Sequence, residues 1–328
     1  YSARILLRYK LLNQDLITKN VNLENKIYVA YSGGPDSTAL LHLLAKMSID
    51  NQLEVKAIHV NHNLSKKSKA WEDHCKKTCS ILNIDLTIES VQIISDGGGI
   101  ESASRKARYK IFENLLESGD QILLAHHSDD VAETIFMRLL RGTGVDGLEG
   151  PKFTREIGKG TLIRPLLAVP KKEILNYLTE NNIQYIEDDS NINNEFDRNY
   201  LRNKIFPMLE DRWKGFSKRI NNTSSIFRDR NNIYSNLFYE KYSDLIGNKI
   251  ELKKINTLSE SIISDILRYS IKECNISIPN SKIMEEIIKT FINSSPGPKS
   301  IVTWSRSDKE LVAGKITYEK GHIIISKR

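Results

Sequence analysis

Two adjacent glycines between an apolar run and a helix-like segment are the first residues whose types and spacing could do chemistry. Ser32-Gly33-Gly34-Pro35-Asp36-Ser37 follows IYVAY (27–31) and leads into TALLHLLAKM (38–47). Glycines let a backbone take positive φ and bring bare N–H groups up to an anion, and the dipole of a following helix favours negative charge at its first turn. Pro35 suits that first turn because its missing N–H is not needed there. The segment reads as a phosphate cradle, or more plainly as a strand-to-helix turn in which Asp36 and Ser37 serve as caps. It is not a Walker A loop, which requires a Lys absent here, and no third Gly completes a dinucleotide fingerprint.

A second group lies in AHHSDDVAET (125–134), where Asp130 and Glu133 fall three residues apart on one helix face. Two carboxylates so placed can hold a substrate ammonium or a metal, or can complement the dipole of a helix capped by Ser128. His126 and His127 with Asp130 also have the types of a transition-metal site, but no second His/Cys cluster offers a third ligand at convincing spacing. His59, Asn61 and His62 crowd another strand end, where a histidine can equally be satisfied by backbone. Arg105 and Arg108 are three apart, and Arg198 and Arg202 four apart. Their guanidinium forks suit phosphate or developing pyrophosphate charge, or pair on solvated helix faces with Glu101, Asp197 or Glu195.

The elements that must position these groups alternate. Strand candidates at 27–32, 54–60, 84–93 and 121–126 are separated by helix-like segments, which indicates βαβ units and a parallel sheet with helices on both faces. In such sheets ligands sit at the carboxyl ends of the strands, so the turns after the first, second and fourth strands are the places to look. The start of the chain, through residue 16, reads as an amphipathic helix. Character changes near residue 218: 220–292 is mostly helical in period, SSPGPKS (294–300) is a break, and the tail reads as short strands turning at Gly314 and Gly321. The expected organisation is a catalytic domain with a helical extension over 1–218 and a small α+β domain over 219–328.

SGGPDS after an apolar strand resembles the signature of the PP-loop ATP pyrophosphatases, which cleave ATP between the α and β phosphates. Four further stretches, HVNHNL (59–64), ESASRKARY (101–109), LLAHHSDDVAETIFMRLLRGTGVDGL (123–148) and EDDSNINNEFDRNYLRN (187–203), make the chain similar to the tRNA(Ile)-lysidine synthases from about residue 27 to 210. The resemblance implies a five-stranded parallel sheet and a carbon–nitrogen ligase. ATP adenylates the oxygen on carbon 2 of the wobble cytidine in the CAU anticodon of an isoleucine tRNA, and free L-lysine then attacks that carbon and displaces AMP. It implies Mg²⁺ near Asp36 and phosphates held by Ser32, Gly33, Gly34, Pro35, Asp36 and Ser37. It places His59, Asn61 and His126 at the nucleotide, Asp130 and Glu133 at the lysine, and Arg108 and Arg202 among the catalytic groups, with Arg105 and Arg198 weaker matches. Where the family usually carries an arginine after HxNHxL this chain has Ser65, which leaves Lys66 or Lys67 to cover that role.

The chain has 328 residues, 40% of them hydrophobic, and a formal net charge of +7, enough apolar content for two packed domains and too little charge by itself to name a partner. Its distribution says more. Residues 201–230 hold eight Lys/Arg against three acids, with Trp213, Phe216 and Phe227 interleaved. With a tRNA as substrate, Lys214, Lys218 and Arg219 are the expected docking residues, and Lys66, Lys67 and Lys69 form a smaller patch. No run approaches the ~18 apolar residues of a membrane helix, and three cysteines (Cys75, Cys79, Cys274) fit a reducing compartment. A bacterial cytoplasm is expected, or an organelle if a transit segment precedes Tyr1; a homodimer is left open, and the tail looks short for the family. The rivals are a tRNA thiolase, which needs catalytic or cluster-binding cysteines where this chain has C-x₃-C at helical spacing, and a tRNA-binding protein without catalysis.

Overall fold

The computed structural model describes residues 12–51, 53–65, 67–93, 99–187, 193–305 and 312–328. It divides into two compact units, 1–231 and 232–328.

The first unit is built on β1 (Ile27–Ala30), β2 (Val55–Asn61), β3 (Asp85–Ser90), β4 (Gln121–Leu123), β5 (Thr154–Ile157) and β6 (Gly160–Ile163), in the spatial order β3-β2-β1-β4-β6-β5. The first five in that order run parallel, as expected; β5 is an added antiparallel edge, paired with β6. Period 2 along β1 serves two cores. Ile27 and Val29 face one that contains Leu40, Leu44 and Met47, whereas Tyr28 faces a second with Phe112, Ile122 and Leu162. A central strand buried on both faces must read as an unbroken apolar run, and IYVA does.

Helices cover both faces. After the short α1 (Gln14–Thr18), α2 (Pro35–Asn51), α3 (Ser68–Ile81) and α4 (Ile100–Leu115) follow the first three strands. Next come α5 (Ser128–Leu140), the single turn α6 (Val145–Leu148), α7 (Lys171–Glu180), α8 (Asp197–Tyr200), a π-helical turn over Leu201–Ile205, α9 (Phe206–Arg212) and α10 (Phe216–Tyr242). α2 carries apolar residues almost all round, so it is enclosed: Ala39, Leu40, Leu41, Leu43, Leu44 and Met47 are all buried. Of the amphipathic start expected through residue 16, positions 1–11 lie outside the described residues.

Strand order fixes where ligands can go. The chain builds β1, β2 and β3 outward in one direction and then returns to the other side of β1 with β4. The loops leaving β1 and β4 therefore part to opposite faces and open a crevice at the carboxyl end of the sheet, the usual binding place in such folds.

The second unit has β7 (Lys249–Glu251), β8 (Ile301–Trp304), β9 (Gly314–Glu319) and β10 (His322–Lys327) in an antiparallel sheet of order β7-β10-β9-β8, with α11 (Leu252–Ile255), α12 (Glu260–Glu273) and α13 (Ser281–Phe291). Its core includes Phe238, Ile266, Ile287, Phe291, Trp304 and Ile323. The β9–β10 turn has Lys320 and Gly321 both at positive φ, as a tight two-residue hairpin requires. Gly314, expected at a turn, is instead the first residue of β9, set against Trp304. The short strand β7 lies inside a stretch whose period reads as mostly helical. The expected boundary near 218 falls at the start of α10, and the chain divides between the two compact units further along that helix, between 231 and 232. No helix among the described residues is long and apolar enough to cross a membrane.

Candidate active site

The turn after β1 is folded on itself by hydroxyls. Ser37 Oγ accepts from Ser32 N–H (3.2 Å), lies 3.0 Å from Ser32 Oγ and donates to the Gly34 carbonyl (3.1 Å), while Ser32 Oγ accepts from Gly34 N–H (3.3 Å). Gly33 has φ +83°, and a Cβ there would sit 2.8 Å from Ile186 Cδ1 and 3.2 Å from Cys75 Sγ, so only glycine fits. Its carbonyl accepts from Ile186 N–H at 2.9 Å, which ties the segment before α8 to the loop. Ser37 therefore stitches the turn, and α2 begins with first-turn N–H groups that have no acceptor within the helix.

Asp36 does not cap α2. Its Oδ1 lies 2.5 Å from Lys171 Nζ, at the start of α7, and 3.7 Å from His127 Nε2. His127 is enclosed by carboxylates: Asp130 Oδ2 is 3.5 Å from Nε2 and Asp129 Oδ2 is 3.6 Å from Nδ1. Burial alone would lower the His127 pKa, but Asp129, Asp130 and Asp36 outweigh both it and Lys171 and raise it. Asp130 Oδ2 accepts from His127 N–H (2.9 Å) and Asp129 Oδ2 from Lys171 N–H (2.8 Å), so the acidic start of α5 also pins α7.

The paired carboxylates on α5 are already engaged. Glu133 is almost wholly buried, 1% exposed. Arg198 donates from Nε to Glu133 Oε2 (2.7 Å) and from Nη2 to Asp130 Oδ1 (2.9 Å). Arg202 donates from Nε to Glu133 Oε1 (2.6 Å) and from Nη2 to Glu133 Oε2 (2.8 Å) and Asp130 Oδ1 (3.2 Å). Burial pushes the Asp130 carboxyl up, yet His127, Arg198, His126 and the His127 N–H together hold it well below the usual carboxylate range. Arg198, the weaker sequence match, thus stands beside Arg202, and neither pairs with the local acids Asp197 or Glu195. The π turn at 201–205 widens the helix where Arg202 leaves it.

His126 takes its hydrogen bond outside this group, although Asp130 and Arg198 still act on it electrostatically. Its Nδ1 accepts from Arg164 Nε at 3.0 Å, and Arg164, buried at 3% exposure, also donates to the Lys152 carbonyl (2.7 Å) and the Tyr109 hydroxyl (3.3 Å). Arg105 and Arg155 lie over the Tyr109 ring at 4.8 and 4.7 Å, with Arg108 at 5.9 Å. Burial would raise the Tyr109 phenol, but these arginines together with Arg164 lower it. His126 is held well below an ordinary imidazole, by burial first and then by Arg164, Arg108 and Arg198 against the pull of Asp130.

At the end of β2 the expected nucleotide residues have structural partners. His59 donates from Nδ1 to the Tyr31 carbonyl (2.9 Å). Asn61 donates to Glu72 (3.3 Å) and accepts from Asn63 N–H (2.9 Å). Lys69 and Lys76 also converge on Glu72, at 2.9 and 2.7 Å. His62 is pushed down to about 4 by burial, Arg108 and His59. Cys75 and Cys79 are buried on α3, and burial raises both thiols to about 12, so neither supplies a thiolate. Among the described residues no cluster of three His, Cys, Asp or Glu could cage a metal, and the His126–His127–Asp130 alternative fails because the two rings face different partners. The side chain of Glu101, Lys66 and residues 188–192 of the EDDSNINNEFDRNYLRN stretch lie outside the described residues.

The basic stretch divides. Phe216 packs edge-on against Phe136 and Phe206, whereas Trp213 is half exposed. Lys214, Lys218 and Arg219 are exposed; Lys214 Nζ lies 3.4 Å from Asp211, and Arg219 donates to the Lys214 carbonyl (2.9 Å). Lys171 and Arg164 are the site residues that sequence reasoning missed, and His127 was weighed only as a metal ligand. The available signal was that RPLLAVPKK leaves β6, a strand adjoining β4, so its residues enter the same carboxyl-end crevice.

A glycine-bearing turn at a switch point, opening a helix beside a cluster of acids and bases, defines an α/β protein that binds a nucleotide by its phosphates. The chain belongs to the PP-loop family, whose PP-loop domain matches residues 6–209, and membership implies use of ATP. Among curated proteins it is 36% identical to the tRNA(Ile)-lysidine synthase of Buchnera aphidicola subsp. Schizaphis graminum, over 88% of this chain and 66% of the relative. It is 34% identical to that of Legionella pneumophila strain Paris over 86% and 65%, and 41% identical to that of Coxiella burnetii over 56% and 41%. The chain spans just under two thirds of the length of the first two relatives. A solved U34-tRNA thiolase NcsA from Methanococcus maripaludis with its [4Fe-4S] cluster shares the fold at a TM-score of 0.54 and 19% identity, over 68% of this chain and 78% of that one.

Proposed function

We propose that this protein is a tRNA(Ile)-lysidine synthase of a bacterial cytoplasm. The similarity to lysidine synthases over most of the chain carries the reading, and the site supports it. The oxygen on carbon 2 of the wobble cytidine attacks the α-phosphorus of ATP and pyrophosphate leaves. The lysine amine then attacks that carbon, loses a proton, and AMP departs with the oxygen.

The loop from Ser32 to Ser37 holds the phosphates through backbone N–H groups and the dipole of α2. Magnesium keeps water and phosphate oxygens and takes only one or two carboxylates. Asp36, a partly exposed carboxylate at the loop, is the residue that would contribute one such ligand. A cation there would neutralise charge on the departing pyrophosphate. Lys171, which lies on Asp36, would supply a second positive charge beside the loop. Asp130 and Glu133 attract the lysine ammonium, and Arg198 and Arg202, which lie on those carboxylates, orient them and meet the lysine carboxylate. The small second unit and the basic stretch grip the tRNA.

A thiolase reading draws on fold likeness alone, and the buried thiols of Cys75 and Cys79 argue against it. The test is pyrophosphate release from ATP: it should require a tRNA with a CAU anticodon, and AMP should appear only when lysine is added. Release independent of the RNA would overturn the reading.

A further inference from the structure

An arginine has five donors and no acceptor, so a histidine nitrogen bonded to one must be bare. Arg164 Nε lies 3.0 Å from His126 Nδ1. From this we infer that Arg164 is a positioning residue that locks His126 as the neutral tautomer with its proton on Nε2, so that His126 serves a ligand oxygen as a hydrogen-bond donor and not as a base.

The fork cannot turn away. Its Nη1 is held by the Lys152 carbonyl and its Nη2 by the Tyr109 hydroxyl, and the Arg164 backbone N–H is fixed on the Phe153 carbonyl at 2.9 Å. A proton on Nδ1 would set N–H against N–H at a buried guanidinium, which forfeits the bond and leaves a donor unsatisfied. The charged groups facing the imidazole are Asp130 from α5, Arg164 from the turn after β6, Arg108 from α4 and Arg198 from α8. Asp130 alone favours a second proton, and it is already shared by Arg198 and Arg202. Among the described residues Arg164 is the imidazole's hydrogen-bond partner, which leaves Nε2–H for a ligand at the carboxyl end of β4. The identity of the acceptor, a nucleotide phosphate oxygen or the cytidine carbonyl, rests on the proposed function; the tautomer does not.

Long-range ¹H–¹⁵N spectra of the protein labelled in its histidine rings test this, with the His126 signals assigned by their loss in His126→Gln. The expected result is a bare Nδ1 and a protonated Nε2 unchanged between about pH 5.5 and 8. A proton on Nδ1, or an imidazolium at neutral pH, overturns the inference. Adding a non-hydrolysable ATP analogue alone, and then an anticodon stem-loop RNA alone, should shift Nε2 with one of the two, naming the acceptor; no shift with either removes the donor role. In Arg164→Met the ring should titrate at a higher pH than in the parent, with burial, Arg108 and Arg198 still holding it down, and Nδ1 should become free to carry a proton; an unchanged spectrum overturns the lock. Should that variant fail to fold, the spectrum of the parent protein decides. His126→Gln, whose amide reaches the Nε2 position, should keep turnover within about tenfold, while His126→Asn loses roughly a hundredfold or more. Equal losses contradict a donor at Nε2. A parent protein with the stated tautomer but no lysine-dependent product would refute the proposed function and leave the Arg164–His126 pair standing.

Discussion

The strand-tip site and the basic stretch of 201–230 are both dense in charge, and they use it in opposite ways. At the strand tips Asp36, Asp129, Asp130 and Glu133 meet Lys171, His127, Arg198 and Arg202 in a mutually paired, largely buried group. In the basic stretch Lys214, Lys218 and Arg219 stand in solvent beside one exposed acid. Arg202 belongs to both by sequence but to the first by geometry, and Arg228 donates to the Glu149 carbonyl. A local excess of charge counted along a chain is therefore not the charge a partner meets. Pairing in a low-dielectric site makes each member costly to remove, whereas exposed lysines act through a screened field.

This contrast can be broken at several points. Asp36→Ala should lower turnover by about a thousandfold or more, as loss of a charge-stabilising group at the reacting phosphates does, while tRNA affinity stays within about twofold. A variant turning over near the parent rate would remove Asp36 from the site. Arg198→Met leaves Glu133 and Asp130 short of a partner and should cost about 3 kcal/mol in urea unfolding. A loss below ~1 kcal/mol would place the group with ordinary surface pairs.

Replacing Lys214, Lys218 and Arg219 together by Gln should weaken tRNA binding by about tenfold and reduce the salt slope by about 2 to 3, with unfolding unchanged. An unaltered slope would return them to plain surface. Asp130 sharpens the contrast by pH. Its folded pKa is depressed, so its contribution to stability is full above the unfolded value of ~3.9 and is lost as pH falls through the folded one. Asp130→Asn should flatten the acid limb of melting temperature against pH; the same limb in both proteins would exclude it. Lys214→Gln alone should shift stability by less than about 0.5 kcal/mol.

The β1 turn was legible because glycine, helix start and apolar strand are neighbours in sequence. Four of the five parallel strands were legible for the same local reason, as period 2 and period 3.6 alternate along the chain; the fifth, β6, was implied by the family resemblance and not by its own residues. Edge strand β5 was not, since TREI alternates weakly and its partner is a hairpin away. Asp130 and Glu133 were found by their spacing, but their arginines come from 65 to 72 residues downstream, where only the fold brings them close. Lys171 meets Asp36 across 135 positions and Arg164 meets His126 across 38, with no local pattern to announce either. In sequence the resemblance singled out His126, and His127 entered only the metal alternative. Alternation at the strand exit sends one to Arg164 and the other to Asp36, a distinction that only the backbone makes.

Nucleoside mass spectrometry tests the central claim most directly. An isoleucine tRNA transcript with a CAU anticodon is incubated with the protein, ATP, Mg²⁺ and lysine, digested, and its wobble position analysed. The account predicts a cytidine in which the oxygen on carbon 2 has been replaced by the nitrogen of a lysine, formed only when ATP and lysine are both present. Unmodified cytidine at saturating substrate, from protein that is folded and binds the tRNA, would contradict it.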